Sequence, residues 1–260
     1  MYIIGDIHGQ FDKLVTILQA ADLIDGHRQW SAGDATLWFM GDYFDHGPDG
    51  VPAVELIIRL QAEAERAGGR VGAVIGNHEG LILAAHRFGE RPSEGSDGTF
   101  YSNWLSNGGT VADLQRLNDE HIQWLISLPT MAIAEDRLLA HADATFYESF
   151  GRSIPAVNQA LSAILQGDDP GAWEQLLDNF SQQRAFHDAD RGDARLARIL
   201  GLYGGRQFVH GHTPINKLTG QPPETITAPY VYAGGLAIDV DPGMYLGGPG
   251  FVAHLPKLEE

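Results

Sequence analysis

The stretch Ala35-Thr36-Leu37-Trp38-Phe39-Met40-Gly41-Asp42-Tyr43-Phe44-Asp45-His46-Gly47 decides how the rest of the chain is read. Its first half is a short apolar run rich in aromatic and branched residues, which reads as a buried strand. Its second half sets Asp42 and Asp45 just beyond the strand's carboxyl end, where open α/β sheets hold their ligands. A carboxylate at Asp42 is placed to bridge two metal ions. Asp45, three residues on, is placed to orient a catalytic histidine.

The same strand-turn-helix pattern stands on both sides. Tyr2 to Ile4 is an apolar strand ended by Gly5-Asp6-Ile7-His8-Gly9, and Phe11, Leu14, Val15, Leu18 and Ala21 then recur at helical spacing. After Gly47 the chain predicts a helix from about Val51 to Ala67, with Pro52 in its first turn. Arg70 to Ile75 reads as a third strand, Gly76-Asn77-His78-Glu79 as its turn and Leu81 to Phe88 as a helix. Three such units in a row predict a largely parallel sheet with three polar turns along one edge.

Farther on, Gly89 to Gly98 reads as a glycine-rich surface loop, followed by short helices at Phe100 to Leu105, Val111 to Leu117 and His121 to Leu128. Met131 to Ala134 and Arg137 to Ala140 predict two strands joined by a tight turn at Glu135-Asp136, the second ending at His141-Ala142-Asp143. Thr145 to Leu200 shows amphipathic helical spacing without a strand and reads as a helical insertion or cap at about 145–200 of a single domain spanning 1–260. Gln207 to Val209 predicts a strand ending at His210-Gly211-His212-Thr213. The apolar runs at Tyr230 to Ala233, Leu236 to Val240 and Phe251 to Leu255 suggest antiparallel strands closing a second sheet.

Composition narrows the function. The 260 residues are 43% hydrophobic, enough for a substantial core. The net charge of -17 opposes general nucleic-acid binding but favours divalent cations. The absence of cysteine excludes disulfides and thiolate chemistry and fits a reducing cytoplasm. No apolar run approaches the roughly 18 residues of a membrane span. Asp6 also lies too near Met1 for a presequence to fit, so a soluble cytoplasmic protein is expected.

The strand-end turns together supply Asp6, His8, Asp42, Asp45, Asn77, His78, His141 and His212. Oxygen and imidazole donors without sulfur suit Mn²⁺, Fe²⁺ or Zn²⁺ in a two-metal site, and flanking glycines allow close backbone approach to ions and phosphate.

These motifs, in this order over residues 5 to 213, resemble the signature set of calcineurin-like metallophosphoesterases, specifically the phosphoprotein phosphatase family. Asn103-Trp104-Leu105-Ser106-Asn107-Gly108-Gly109 resembles the bacterial and phage branch of its serine/threonine phosphatases. The resemblance implies an α/β fold, a two-sheet β-sandwich flanked by helices. It implies Asp6, His8 and Asp42 as ligands of one metal and Asp42, Asn77, His141 and His212 as ligands of a second, with manganese the leading choice and iron or zinc next. It further implies in-line attack by a hydroxide bridging the metals, with His78 protonating the leaving group and Asp45 orienting His78.

One position departs from the family: His46 stands where an arginine usually grips the phosphate. Imidazole offers fewer donors, a shorter reach and a pH-dependent charge. Arg184, in a stretch read as helical, is the first candidate to compensate and Arg206 the second; His210, two residues before His212, reads as structural. Three functions follow. The leading one is a metal-dependent protein serine/threonine phosphatase. The alternative is a dinucleoside polyphosphate hydrolase, and the third a catalytically weak phosphate-binding module.

Overall fold

In the computed structural model, which describes residues 1–95 and 97–259, the three strand-turn-helix units stand in the expected order. They are β1 (Tyr2–Ile4) with α1 (Phe11–Ala20), β2 (Thr36–Phe39) with α2 (Gly50–Arg66), and β3 (Arg70–Ala73) with α3 (Asn77–Phe88). The strands pair in parallel, Ile3 opposite Trp38 and Trp38 opposite Gly72. Their carboxyl ends therefore share one edge. The helix α3 begins at Asn77, four residues before the expected start, because Glu79 caps it: the Glu79 carboxylate accepts the Gly76 N–H at 2.8 Å. Asn77 and His78 thus sit on a helical first turn rather than in a loop.

The helices α4 (Phe100–Ser106), α5 (Val111–Arg116) and α6 (Asp119–Ser127) lead into the hairpin of β4 (Met131–Ala134) and β5 (Arg137–Ala140). Glu135 and Asp136 both have positive φ, 45° and 60°, as a two-residue turn that matches strand twist requires. The segment expected to be helical holds α7 (Ile154–Gln166), α8 (Pro170–Phe180) and α9 (Gly192–Tyr203). They carry the chain from β5 to β6 (Gln207–His210), which pairs parallel to β5. Leu161, Trp173, Leu176 and Leu196 are buried in the main core. The stretch 181–191, with Arg184, is loop rather than helix.

After α10 (Ile215–Thr219) come β7 (Tyr230–Tyr232), β8 (Ala237–Asp239) and β9 (Ala253–His254). Two expectations fail here. β8 runs parallel to β6, and only β7 pairs antiparallel to it. β9 joins the first sheet, antiparallel to β1 with His254 opposite Tyr2, rather than the second. Neither partner is encoded locally, since strands of two or three residues pair wherever the chain has brought an open edge. The sheet orders are β3-β2-β1-β9 and β4-β5-β6-β8-β7.

Alternation along the strands explains the layering. Ile3 and Trp38 from one sheet cluster with Leu139, Val209 and Ile238 from the other, so these faces pack together. Ile4, Leu37, Phe39, Leu138 and Phe208 belong to the cluster that includes the helices. The result is two mixed sheets face to face with helices outside. The carboxyl ends of β1, β2, β3, β5 and β6 each lead straight into a turn that bears candidate ligands.

Candidate metal centre

The turns that converge on this edge are strained. His8, Asp42, Asp45, His46, Arg184 and His212 all have positive φ, which costs a non-glycine residue on the order of 1–2 kcal/mol. Compensating bonds lock the turns together. The Glu79 carboxylate accepts the N–H groups of Asp42, Tyr43 and Gly76, each at 2.8 Å, and so ties the turn after β2 to that after β3. The N–H groups of Ile7 and His8 both donate to the Asp42 carbonyl, at 3.0 and 2.8 Å.

The outcome is two donor groups sharing Asp42. Candidate ligand atoms of Asp6, His8 and Asp42 lie within 4.8 Å of one another, and so do those of Asp42, His141 and His212. Asn77 joins the second group: its Oδ1 is 3.0 Å from His141 Nε2 and 2.8 Å from His212 Nδ1. The carbonyls of Phe44 and Met40 take the Nδ1 side of His8 and His141, at 3.0 and 2.7 Å, which leaves both Nε2 atoms facing Asp42.

Cations fit this arrangement. Asp6 Oδ1 and His212 Nε2 are buried and have no hydrogen-bond partner among the described residues. An unsatisfied buried polar atom costs roughly 1–3 kcal/mol. A Cβ on Gly211 would stand 2.0 Å from Asp6 Oδ1, and one on Gly76 would stand 2.3 Å from Asp42 Oδ1, so both glycines keep the carboxylates clear.

Protonation sorts the histidines by task. Burial, then the neighbouring imidazole (His78 for His8, His141 for His212), lowers the pKa of both to about 3. They are therefore neutral, the form that binds metal. Burial and then the charges of Asp241, Asp42 and Asp239 hold Asp6 well above the usual carboxylate range, a strain that a cation relieves. At His78 burial opposes the charge, but Asp42 and the Asp45 hydrogen bond outweigh it and raise the pKa to about 9. His78 is thus held in its charged form, with Nδ1 2.7 Å from Asp45 Oδ2 and Nε2 4.0 Å from Asp42 Oδ2.

The candidate phosphate residues part company. His46 is exposed at the mouth, its ring stacked on Tyr245 at 4.4 Å and tilted against His78 at 5.3 Å. Burial and then His78 lower its pKa. Arg184 is exposed on the loop that borders His212, where Gln183 accepts a bond from the Thr213 hydroxyl at 3.1 Å. Arg206 is not at the site. It precedes β6, at the end of the strand opposite His212, and its guanidinium donates to the Glu259 carbonyl at 2.6 Å. His210 is buried between the Gly211 carbonyl and the Tyr232 hydroxyl, turned away from the ligands.

Several residues had no role in the sequence reading. Trp104 donates from Nε1 to Asp45 Oδ1 at 2.8 Å, so the Asn103-to-Gly109 stretch holds the partner of His78 in place. Glu79 was named only within the Gly76-Asn77-His78-Glu79 turn, although its place three residues after Gly76 is the spacing of a capping carboxylate. Buried Asp143 accepts the Arg184 N–H at 2.7 Å through its carboxylate and the Ala185 N–H at 2.9 Å through its carbonyl, which fixes the Arg184 loop. Asp239 and Asp241, alternating along β8 and beyond, are buried carboxyl groups beside Asp6, and burial raises the pKa of both.

The calcineurin-like phosphoesterase family description matches residues 1–225. A Shewanella-like protein phosphatase 1 from Plasmodium berghei is 36% identical over 231 residues, 81% of this chain and 60% of that protein. A symmetrical bis(5'-nucleosyl)-tetraphosphatase from Vibrio cholerae is 24% identical over 228 residues, 87% of this chain and 74% of that protein. Two other curated relatives match over shorter segments, so that the chain spans 24% and 19% of their lengths. Among solved structures, the cold-active protein-tyrosine phosphatase of a psychrophilic Shewanella species superimposes with a TM-score of 0.70 at 23% identity. That match covers 95% of this chain and 72% of the other, a likeness of fold alone.

Proposed function

The chain belongs to the calcineurin-like phosphoesterase family, and from that premise we propose that it is a metal-dependent phosphatase acting on phosphoserine and phosphothreonine in proteins. One observation carries the reading. Asp42 is common to two groups of converging donors, and His78, bonded to Asp45, faces that same carboxylate.

The family uses a dinuclear metal site, and the residues for one are present. Asp6, His8 and Asp42 would hold one ion, and Asp42, Asn77, His141 and His212 the other. Manganese is our first choice of ion, with iron or zinc next, since oxygen and imidazole donors without sulfur accept all three. Two such ions, when bound, supply positive charge to the phosphoryl oxygens and acidify water. The chain's own groups do the remainder. His78 gives its Nε2 proton to the departing oxygen, while Asp45 keeps Nδ1 protonated and the ring aligned. Trp104 fixes Asp45 in turn. His46 and Arg184 approach the phosphate oxygens from the open side. The lack of cysteine supports a cytoplasmic setting.

Hydrolysis of a dinucleoside polyphosphate is the second reading, favoured by the Vibrio cholerae relative, which aligns over most of its own length. Phosphate release from a phosphopeptide and from diadenosine tetraphosphate, side by side with Mn²⁺, decides between them. Peptide turnover is expected, and cleavage of the dinucleotide alone would move the protein to the second reading. Asp42→Asn and His78→Asn should each lower turnover by roughly 10²-fold or more. Unchanged rates would refute the bridging role of Asp42 and the proton-donor role of His78.

A further inference from the structure

Helix α3 begins inside the candidate site and runs out of it. Asn77 lies among the ligands, and Leu81 and Ala84, four and seven residues on, continue the same helical face. That face floors a cavity of about 650 Å³, which Asn77 shares with the metal centre. Phe100 and Leu177 complete the apolar floor. From Asn77 to Ala84 the helix advances about 10 Å, the reach of about three residues of extended chain.

Above the floor the charges are of one sign. Glu94, Glu174 and Asp178 line the cavity, and no lysine or arginine does among the described lining residues. Arg87, also on α3, is committed elsewhere, donating to the Gly167 carbonyl at 2.6 Å and to Asp168 at 2.8 Å. The rim is also built rather than incidental. Glu174 accepts the Glu94 N–H at 2.6 Å, which fastens the loop carrying Glu94 to α8.

We infer that this cavity takes the polypeptide flanking the phosphorylated residue and selects arginine or lysine two or three positions away from it. The inference rests on the protein-phosphatase reading and names the substrate class within it. Apolar stems of arginine and lysine suit the floor, and their charges suit the rim. A polyphosphate chain would meet three carboxylates there instead, and like charges brought together at an interface are rejected.

The test uses the Mn²⁺-loaded protein and phosphoserine peptides differing only in arginine or glutamate at the second and third positions on either side. p-Nitrophenyl phosphate, too short to enter the cavity, is the control. The arginine peptides should be preferred by about tenfold in kcat/KM at low salt, with the preference falling as salt rises. The double variant Glu174→Gln with Asp178→Asn should lose most of that preference and hydrolyse the control at the wild-type rate. Equal turnover of both peptides, or a preference that survives the double variant, overturns the inference and leaves the phosphatase reading standing. Cleavage of diadenosine tetraphosphate with no turnover of either peptide overturns both.

Discussion

At the scale of single residues, the candidate site sets similar side chains in different fields. His8 and His212 are kept neutral by burial and then by a neighbouring imidazole, while His78, buried as well, lies between two carboxylates and stays charged. A pH dependence follows for the metal-stripped protein. His78 and Asp241 both have folded pKa values above their ordinary ones, about 9 and about 7, so each stabilises the fold fully only below its ordinary value. That stability is lost as pH rises through 7 and then 9. Thermal melts of chelated protein at pH 6, 8 and 9.5 should show a falling Tm, and a flat profile would contradict it. Trp104→Phe removes the donor to Asp45 while keeping an aromatic ring in the core. The lost hydrogen bond to a carboxylate should cost about 1.5–3 kcal/mol, read as a lower Tm, and the loosened His78 should lower kcat with Mn²⁺ stoichiometry unchanged.

At the scale of elements, the turns matter more than the strands they follow. Gly211 joins β6 to His212 at the point where a side chain would collide with Asp6. Gly211→Ala is therefore expected to abolish binding of at least one metal ion while the fold persists, as elemental analysis and circular dichroism would register. Asp143 acts on a neighbouring loop, because bonds from 184 and 185 close on it. Asp143→Ala should raise KM for a phosphopeptide several-fold with a smaller effect on kcat. A purely structural loss would instead lower both Tm and kcat.

Across the whole molecule, the two sheets depend on the chain's last strand. β9 closes the free edge of β1, and Phe251, Ala253 and Leu255 fill the layer between the sheets. Removing residues 251–260 uncovers that layer. Burying one large apolar side chain contributes about 1.5–3 kcal/mol, so the loss of two should cost about 3–6 kcal/mol. Urea denaturation of the truncated chain with metal bound should show a midpoint reduced in proportion.

The sequence by itself determined the pieces whose information is local. Apolar runs such as Thr36 to Phe39, the helical spacing after Phe11, the Glu135-Asp136 turn and the order of the polar turns were all legible because strand, helix and turn preferences act over a few residues. The candidate ligands Asp6, His8, Asp42, Asn77, His141 and His212 were legible because each ends a strand or opens a helix. Tertiary structure alone decided what depends on distant partners. It placed β9 in the first sheet, set β8 parallel to β6, moved Arg206 to the wrong end of its strand and brought Trp104 onto Asp45, 59 residues away. Long-range pairing is fixed by how much surface the assembled sheets bury and by which buried polar atoms find partners. Neither quantity exists until the chain has folded.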